Sequence, residues 1–203
     1  MKKVLSVVLA VMILASLSVF AFADVNPSVT TKAAPEADES SVEAEGLEEE
    51  GAEIFVELTA IAEAEDEQTK AAIEDAVAAV TEQADLVAVV EKAVVVETTS
   101  TIATEVYDTA EDAVPAVSDA FYFDAKDANG ESVLASEYVE GVTPTVKVRV
   151  KVELPKNLMK VMQLVGDTWV EVPVVLDENG EPVLEISYAG PIVFVVNANV
   201  ENG

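Results

Sequence analysis

The sequence predicts an α+β protein in which an N-terminal signal peptide and a disordered acidic linker lead through a short helical segment into a C-terminal antiparallel β-sandwich. Three observations predict this order: an apolar run at the N-terminus, a strong excess of acids, and a hydrophobic period that changes from helical to alternating near residue 118. The predicted boundaries are 1–23 for the signal peptide, 24–53 for the linker, 54–115 for the helical segment and 116–200 for the sandwich.

The first 23 residues have the pattern of a secretory signal peptide. Lys2 and Lys3 precede an apolar run over 4–19, and Ala21-Phe22-Ala23 supplies the small residues of a cleavage site before Asp24. An uncleaved anchor is the alternative, because the run approaches the roughly 20 residues that span a bilayer. In both cases the rest of the chain faces outward, so we expect a secreted protein that is held at the cell wall or released.

Composition excludes several classes of function. The 203 residues contain no His and no Cys, which removes catalytic triads, imidazole or thiolate metal sites and disulfides, and we expect no cofactor and no metal. With 39 acids against 11 basic residues and a net charge of -28, the chain lacks the clustered cations that bind nucleic acids or anionic membranes. Carboxylate chemistry or binding remains, and no signature singles out a catalytic pair of acids, so we expect a protein that is not an enzyme.

Residues 24–53 have the composition of a linker. Pro27, Pro35 and Gly46 are interspersed with acids, including Glu48-Glu49-Glu50, and the apolar residues show no period. Such a segment does not bury enough apolar surface to offset the entropy of ordering, so disorder is predicted. A calcium-attracting tail or a spacer across a cell-wall layer are the functional alternatives.

The helical segment follows. Apolar residues at helical spacing over 69–80 and again over 84–93 predict two amphipathic helices. Val94–Val96 is β-branched and weakens the helical pattern, which then resumes over 102–110 and stops at Pro115.

Alternation begins after residue 118. The clearest strand is Thr145–Leu154, where valines point to one face and charged residues to the other, which predicts one buried and one wet face. Asp127–Gly130 carries the Asn-Gly chemistry of a hairpin turn. Further strands are predicted at 158–165, 168–172, 183–188 and 192–196, separated by turn residues. Six or seven short strands at this spacing predict a small antiparallel sandwich.

Three segments resemble a known family. Asp119–Asp124, Leu158–Val172 with its Gly-Asp-Thr-Trp turn, and Ser187–Val196 with its Ser-Tyr-Ala-Gly-Pro start resemble the immunoglobulin-like β-sandwich modules of secreted and surface proteins of Gram-positive bacteria. The resemblance covers about residues 118 to 197. It implies an immunoglobulin-like fold and an extracellular setting, and it supplies no shared catalytic motif.

Two groups of residues are candidate ligand sites. Trp169 is the only tryptophan, and it could stack on a sugar ring together with Tyr122, Tyr138 or Tyr188. The alternative is a structural tryptophan that closes one end of the sandwich. Exposure of the ring distinguishes the two.

The second group is a basic stripe, Lys147, Arg149 and Lys151, whose side chains lie about 7 Å apart on one strand face. It could receive an anionic polymer or the chain's own acidic linker. The alternative is a solvated face that is paired with acids on neighbouring strands.

Two further patterns bear on metal binding and on covalent cross-linking. Asp127–Gly130 and Asp177–Gly180 share the order acid-x-Asn-Gly but lack both terminal ligands of an EF-hand loop, so they are predicted to be turns. The family resemblance also implies a possible isopeptide bond between Lys126 and Asn197, with Glu153 as the buried acid.

Together these features predict a secreted, non-enzymatic structural or interaction protein of the cell surface. The alternative is a carbohydrate-binding module that recognises cell-wall or other polysaccharide. The expected partners are a cell-wall polysaccharide or another surface protein, with no nucleic acid and no membrane once the signal peptide is removed.

Overall fold

The fold is given by a computed structural model that describes residues 43–47, 54–61, 63–80 and 83–199. The predicted signal peptide and most of the predicted linker lie outside these residues. The helices are α1 (Glu67–Ala79) and α2 (Gln83–Lys92), with a 3-10 turn at Thr104–Val106. The strands are β1 (Glu43–Glu45), β2 (Phe55–Ala60), β3 (Val94–Val95), β4 (Pro115–Lys126), β5 (Lys147–Val150), β6 (Leu158–Val165), β7 (Thr168–Glu171), β8 (Val174–Leu176), β9 (Pro182–Ile186) and β10 (Gly190–Asn197).

The strands form two sheets. One has four strands in the order β1-β5-β9-β8, and the other has six in the order β2-β4-β10-β6-β7-β3. All neighbours are antiparallel except β3 and β7, which are parallel. The prediction of a β-rich α+β protein with mostly antiparallel sheets is confirmed.

The main core lies between the two sheets. Phe121 and Phe194 of the six-stranded sheet meet edge to face, with ring centroids 5.4 Å apart. They share one apolar cluster with Val148 and Val150 of the four-stranded sheet. The predicted alternation of β5 is confirmed, because its valines are buried while Lys147 and Arg149 point away from this core.

The two helices form a third layer on the outer face of the six-stranded sheet. Leu86 of α2 belongs to a second apolar cluster with Met162 and Val193, which belong to β6 and β10. Asp66 caps α1 by accepting a hydrogen bond from the backbone N–H of Thr69 at 2.7 Å, which lowers the pKa of this carboxyl. Within the described ranges no helix is long and apolar enough to cross a membrane.

The helical segment contains more extended chain than expected. Phe55–Ala60 pairs with β4 and supplies an edge strand, in a stretch where the sequence predicted helix. The third predicted helix, over 102–110, is replaced by an isolated bridge from Ile102 to Val175 and a single 3-10 turn. In both places pairing with a neighbouring strand outweighs weak helical spacing.

A short strand also forms inside the range predicted as linker. Glu43–Glu45 pairs with β5, and Ala44 and Leu47 pack against the main core. Gly46 adopts a φ of 82° and lies against the backbone of Thr145. Five residues thus dock on the sandwich although their sequence lacks any periodic pattern.

The two acid-x-Asn-Gly loops are turns of one design. The Oδ1 atom of Asp127 accepts the backbone N–H groups of Asn129 and Glu131, both at 2.9 Å. Asp177 repeats this at 2.8 and 2.7 Å with residues 179 and 181. These hydrogen bonds lower the pKa of both aspartates. The prediction that the loops are turns is confirmed.

Candidate functional site

The basic stripe is centred on a buried acid. Glu185 of β9 is 3% exposed and accepts four hydrogen bonds through its carboxylate. Thr98 Oγ1 donates at 2.5 Å and Ser100 Oγ at 2.7 Å. Lys147 Nζ and Arg149 Nε donate at 3.1 and 3.0 Å. One carboxylate on β9 therefore binds β5 and the loop that follows β3.

The environment of Glu185 keeps it ionised. Burial favours the neutral form, but the hydrogen bonds from Thr98, Ser100, Arg149 and Lys147 outweigh burial and lower the pKa of Glu185 to about 2. A carboxylate with this pKa carries a full negative charge at neutral pH. Its chemistry is that of a structural anion and not that of a proton donor.

Arg149 extends the network to the N-terminal segment. Its guanidinium lies 3.0 Å from a carboxylate oxygen of Glu45 and 3.5 Å from one of Glu43, and its Nη2 donates to Ser100 Oγ at 2.9 Å. The only arginine in the sequence thus joins β1, β5, β9 and a loop. Its planar group with five donors suits this role better than an ammonium.

The basic stripe faces acids of its own chain along its whole length. Lys151 completes the pattern by pairing with Glu181 at 2.7 Å. Of the alternatives raised by the sequence, pairing with a neighbouring strand and with the acidic N-terminal segment are both observed. The stripe is not an open surface for an anionic polymer, because such a polymer would have to displace Glu43 and Glu45 from Arg149.

The second candidate, Trp169, is half-buried beside α2. Its indole packs against the cluster that holds the helices and also lines a groove of about 410 Å³ between α2 and β7. The groove includes Asp85, Lys92 and Asp167. In the described part of the chain these three charged side chains form no ion pair with another residue.

The groove therefore combines an aromatic face with charges of both signs that are available to a ligand. This combination fits a ligand with an apolar face and a polar edge. The exposure of Trp169 is intermediate. It matches neither the fully buried ring of a structural tryptophan nor the fully exposed ring of a sugar-stacking one.

The predicted cluster of tyrosines around Trp169 does not form. Tyr122 lies on β4, and β10 and β6 separate it from β7, a distance of about 14 Å at usual strand spacing. Tyr188 is 3% exposed and contacts Tyr138, with ring centroids 6.4 Å apart, at a different groove. Burial raises the pKa of Tyr122 and of Tyr188.

The isopeptide bond suggested by the family resemblance is wrong. Asn197 lies opposite Pro115 at one end of β4, while Lys126 lies at the other end, about 36 Å away for a strand of 12 residues. Lys126 instead pairs with Glu57 at 2.7 Å, and the side-chain amide of Asn197 donates to Asp108 at 2.9 Å. Glu153 is exposed and does not supply a buried acid.

Sequence reasoning missed the acid at the centre of the network. Glu185 has a weak signal of its own, since it is a charged residue between Leu184 and Ile186 in a strand that was predicted correctly. A search for acids at alternating positions, able to face Lys147 and Arg149 across a strand pair, would have found it. Thr98 and Ser100 carry no such signal, because their role depends on a loop path.

The described residues include no group of three or more acids arranged to hold a metal ion. Comparison with protein-family models, with curated proteins and with solved structures finds no significant match to this chain.

Proposed function

We propose that this chain is a secreted, non-enzymatic structural or interaction protein of the cell surface. In this proposal a signal peptide and an acidic spacer precede an immunoglobulin-like module of the kind found on Gram-positive bacteria. The partner is a cell-wall polysaccharide or another surface protein.

The observation that supports the proposal is that buried carboxylates of this chain hold its strands and loops together. Glu185 is fully engaged by four donors, as described above. Burial raises the pKa of Asp124. This carboxylate accepts hydrogen bonds from the Ser132 hydroxyl at 2.6 Å and from the Ala125 N–H at 2.8 Å. An active site would present such perturbed acids to a cleft, but neither acid lines the groove beside Trp169 or the groove at Tyr138 and Tyr188.

Export and surface retention are tested in a Gram-positive host that expresses the full chain. We expect the protein in the medium or the cell-wall fraction, with an N-terminus at Asp24 by mass spectrometry. The matched control is Ala23→Asp, which removes a small residue from the cleavage site and should leave an uncleaved, membrane-associated precursor. A wild-type chain that retains Met1 and stays in the cytoplasm would contradict the proposal.

The groove between α2 and β7, which we call the Trp169 groove, favours a second candidate function, carbohydrate binding. Tryptophan faces stack on sugar rings, and Asp85, Lys92 and Asp167 could bind hydroxyl groups at the rim. The test is titration of the chain with a panel of soluble glycans and purified cell walls. The fluorescence of Trp169 at low and at high salt reports binding.

A sugar site predicts a shift in emission that salt does not abolish, and weaker binding by Asp167→Asn. Tyr122→Phe is the matched control, since Tyr122 lies outside the groove, and it should bind like the wild type. Absence of any binding, or equal binding by Asp167→Asn and wild type, would remove this candidate and leave the structural role.

A further inference from the structure

A second groove lies at the edge of the six-stranded sheet that is opposite β2. It has a volume of about 300 Å³, and one wall is the stretch Val94–Glu97, which contains β3. The lining also includes the loop 141–144, Tyr138 and Tyr188. We call it the Tyr138 groove.

Exposed apolar side chains concentrate around this groove. Six large apolar residues in the described part of the chain are exposed, and three of them belong here: Val95 at 68%, Val142 at 59% and Val139 at 52%. Val95 and Val142 line the groove, and Val139 follows Tyr138 in the chain. Exposed apolar side chains that gather at one groove mark a contact surface.

The groove also runs along an unpaired strand edge. β3 is the last strand of its sheet and pairs with β7 on its inner side, so that among the described strands none covers its outer side. Open strand edges bind extended segments through the backbone, while alternate side chains enter neighbouring pockets. The exposed valines of the groove and the open edge of β3 therefore favour the same ligand, an extended chain with apolar residues at every second position.

The charge of the rim selects the partner. Glu97 lines the groove, and Glu137 and Glu140 adjoin it in the chain. These three carboxylates form no ion pair within the described ranges. Lys147 donates to the carbonyl oxygen of Glu97 at 3.4 Å, but its charge is already paired with Glu185.

A second copy of this chain is a poor occupant. Each copy carries a net charge of -28, and two β3 edges placed side by side would bring the same carboxylates together. A cationic segment would instead be attracted to the carboxylates of the rim, and it would still make the apolar contacts.

We propose that the Tyr138 groove binds an extended, basic segment of a partner protein, which adds as a strand to the outer edge of β3. Its apolar side chains contact Val95, Val142 and Tyr138, and its lysines or arginines face the carboxylates of the rim. This site shares only Val94 with the lining of the Trp169 groove and does not depend on export, so its failure would leave both parts of the proposed function untouched.

The test is fluorescence anisotropy of a labelled peptide with alternating valine and lysine and blocked ends, titrated with the purified full-length chain. Binding is expected, and it should weaken with salt because the rim charges are exposed. The same peptide with glutamate in place of lysine should not bind. A peptide with N-methyl groups on alternate amides should also fail, because it cannot pair with a strand edge.

Variants locate the site. The double variant Val95→Ser, Val142→Ser should bind at least about tenfold more weakly, while Val114→Ser, at an exposed valine elsewhere, should bind like the wild type. Glu97→Gln should reduce both the affinity and its dependence on salt. All these side chains are exposed, so circular dichroism should show an unchanged fold.

Three results would overturn the proposal. The first is no binding of the valine-lysine peptide. The second is equal binding by the wild type and the double variant. The third is loss of glycan binding, rather than peptide binding, in the double variant, which would make this groove a sugar site.

Discussion

Arg149 and Glu185 face each other across β5 and β9, with Nε and Oε2 3.0 Å apart. The two side chains lie on the outer face of the four-stranded sheet, where Glu43 and Glu45 cover the guanidinium from the β1 side. This pair is the point where the N-terminal segment, two sheet strands and the loop at 98–100 are joined.

Removal of the central acid should therefore be costly. Glu185→Gln leaves Lys147 largely buried without its anion, while Arg149 keeps only its more exposed partners on β1. Loss of one partner of a buried ion pair costs about 3 kcal/mol. The free energy of unfolding in urea measures this loss. Glu181→Gln is the control, because its exposed pair with Lys151 should be worth less than about 1 kcal/mol. Equal effects of the two variants would contradict the role assigned to Glu185.

The same acid should give a defined pH dependence. The pKa of Glu185 falls from 4.5 to about 2 on folding, so its contribution to stability is complete above 4.5 and is lost as the pH falls toward 2. The difference in unfolding free energy between wild type and Glu185→Gln should thus be constant near neutral pH and shrink through this window. A difference that stays constant down to about pH 2 would show that Glu185 titrates normally.

Docking of β1 should depend on Gly46. A Cβ atom at this position would overlap the carbonyl oxygen of Thr145, so Gly46→Ala should release β1 from β5. A glutamate-specific protease should then cut after Glu45 at least roughly tenfold faster, because cleavage requires local opening.

Gly180→Ala is the matched control for this experiment. Gly180 has a φ of 81°, against 82° for Gly46, but a Cβ atom there would meet open space. Both substitutions place a Cβ atom on a residue with positive φ, but only the one at Gly46 overlaps a neighbour of β1, so Gly180→Ala should leave cleavage after Glu45 at the wild-type rate. Similar cleavage rates in both variants would contradict the role assigned to the contact between Gly46 and Thr145.

The main core should depend strongly on its aromatic pair. Phe194→Ala removes a fully buried ring and its edge-to-face contact with Phe121, which should lower the unfolding free energy by about 4 kcal/mol. Val114→Ala, at an exposed side chain, should change it by less than about 0.5 kcal/mol. If Phe194→Ala lowered the unfolding free energy no more than Val114→Ala does, the assigned core would be contradicted.

The chain should contain no covalent cross-link between Lys126 and Asn197. Their separation along β4 predicts that the intact mass of the purified protein equals the sum of its residues, without the loss of one ammonia. High-resolution mass spectrometry of the intact protein measures this directly. Lys126→Arg should leave the thermal stability almost unchanged, because it keeps the pair with Glu57.

Elements with a strong local pattern could be predicted from the sequence. The alternation around Lys147 and Arg149, the turn chemistry at Asp127 and Asp177 and the helical spacing of α1 and α2 each have a repeating cause within a few residues. Elements that depend on distant partners could not. β1 is three residues long, and only its contacts with Arg149 and the core order it.

The candidate sites follow the same division. The sequence identified Trp169 and the basic stripe as unusual, since a single tryptophan and a run of alternating cations are visible in one dimension. It did not reveal that Glu185 neutralises the stripe or that Tyr188 lies in a groove away from Trp169. Those outcomes depend on strand order, because β9 lies beside β5 and two strands separate β4 from β7.

The position of β10 sets the order in which the protein can fold. This strand is the last of the described strands, yet it lies between β4 and β6, and all eight of its residues are buried. Until residues 190–197 have been synthesised, β4 and β6 lack the neighbour that joins them. The six-stranded sheet therefore closes late and through contacts of long sequence separation, which is the topology of a slow folder. In a nascent chain, β4 and β6 therefore stay apart until residues 190–197 are available to pair with both.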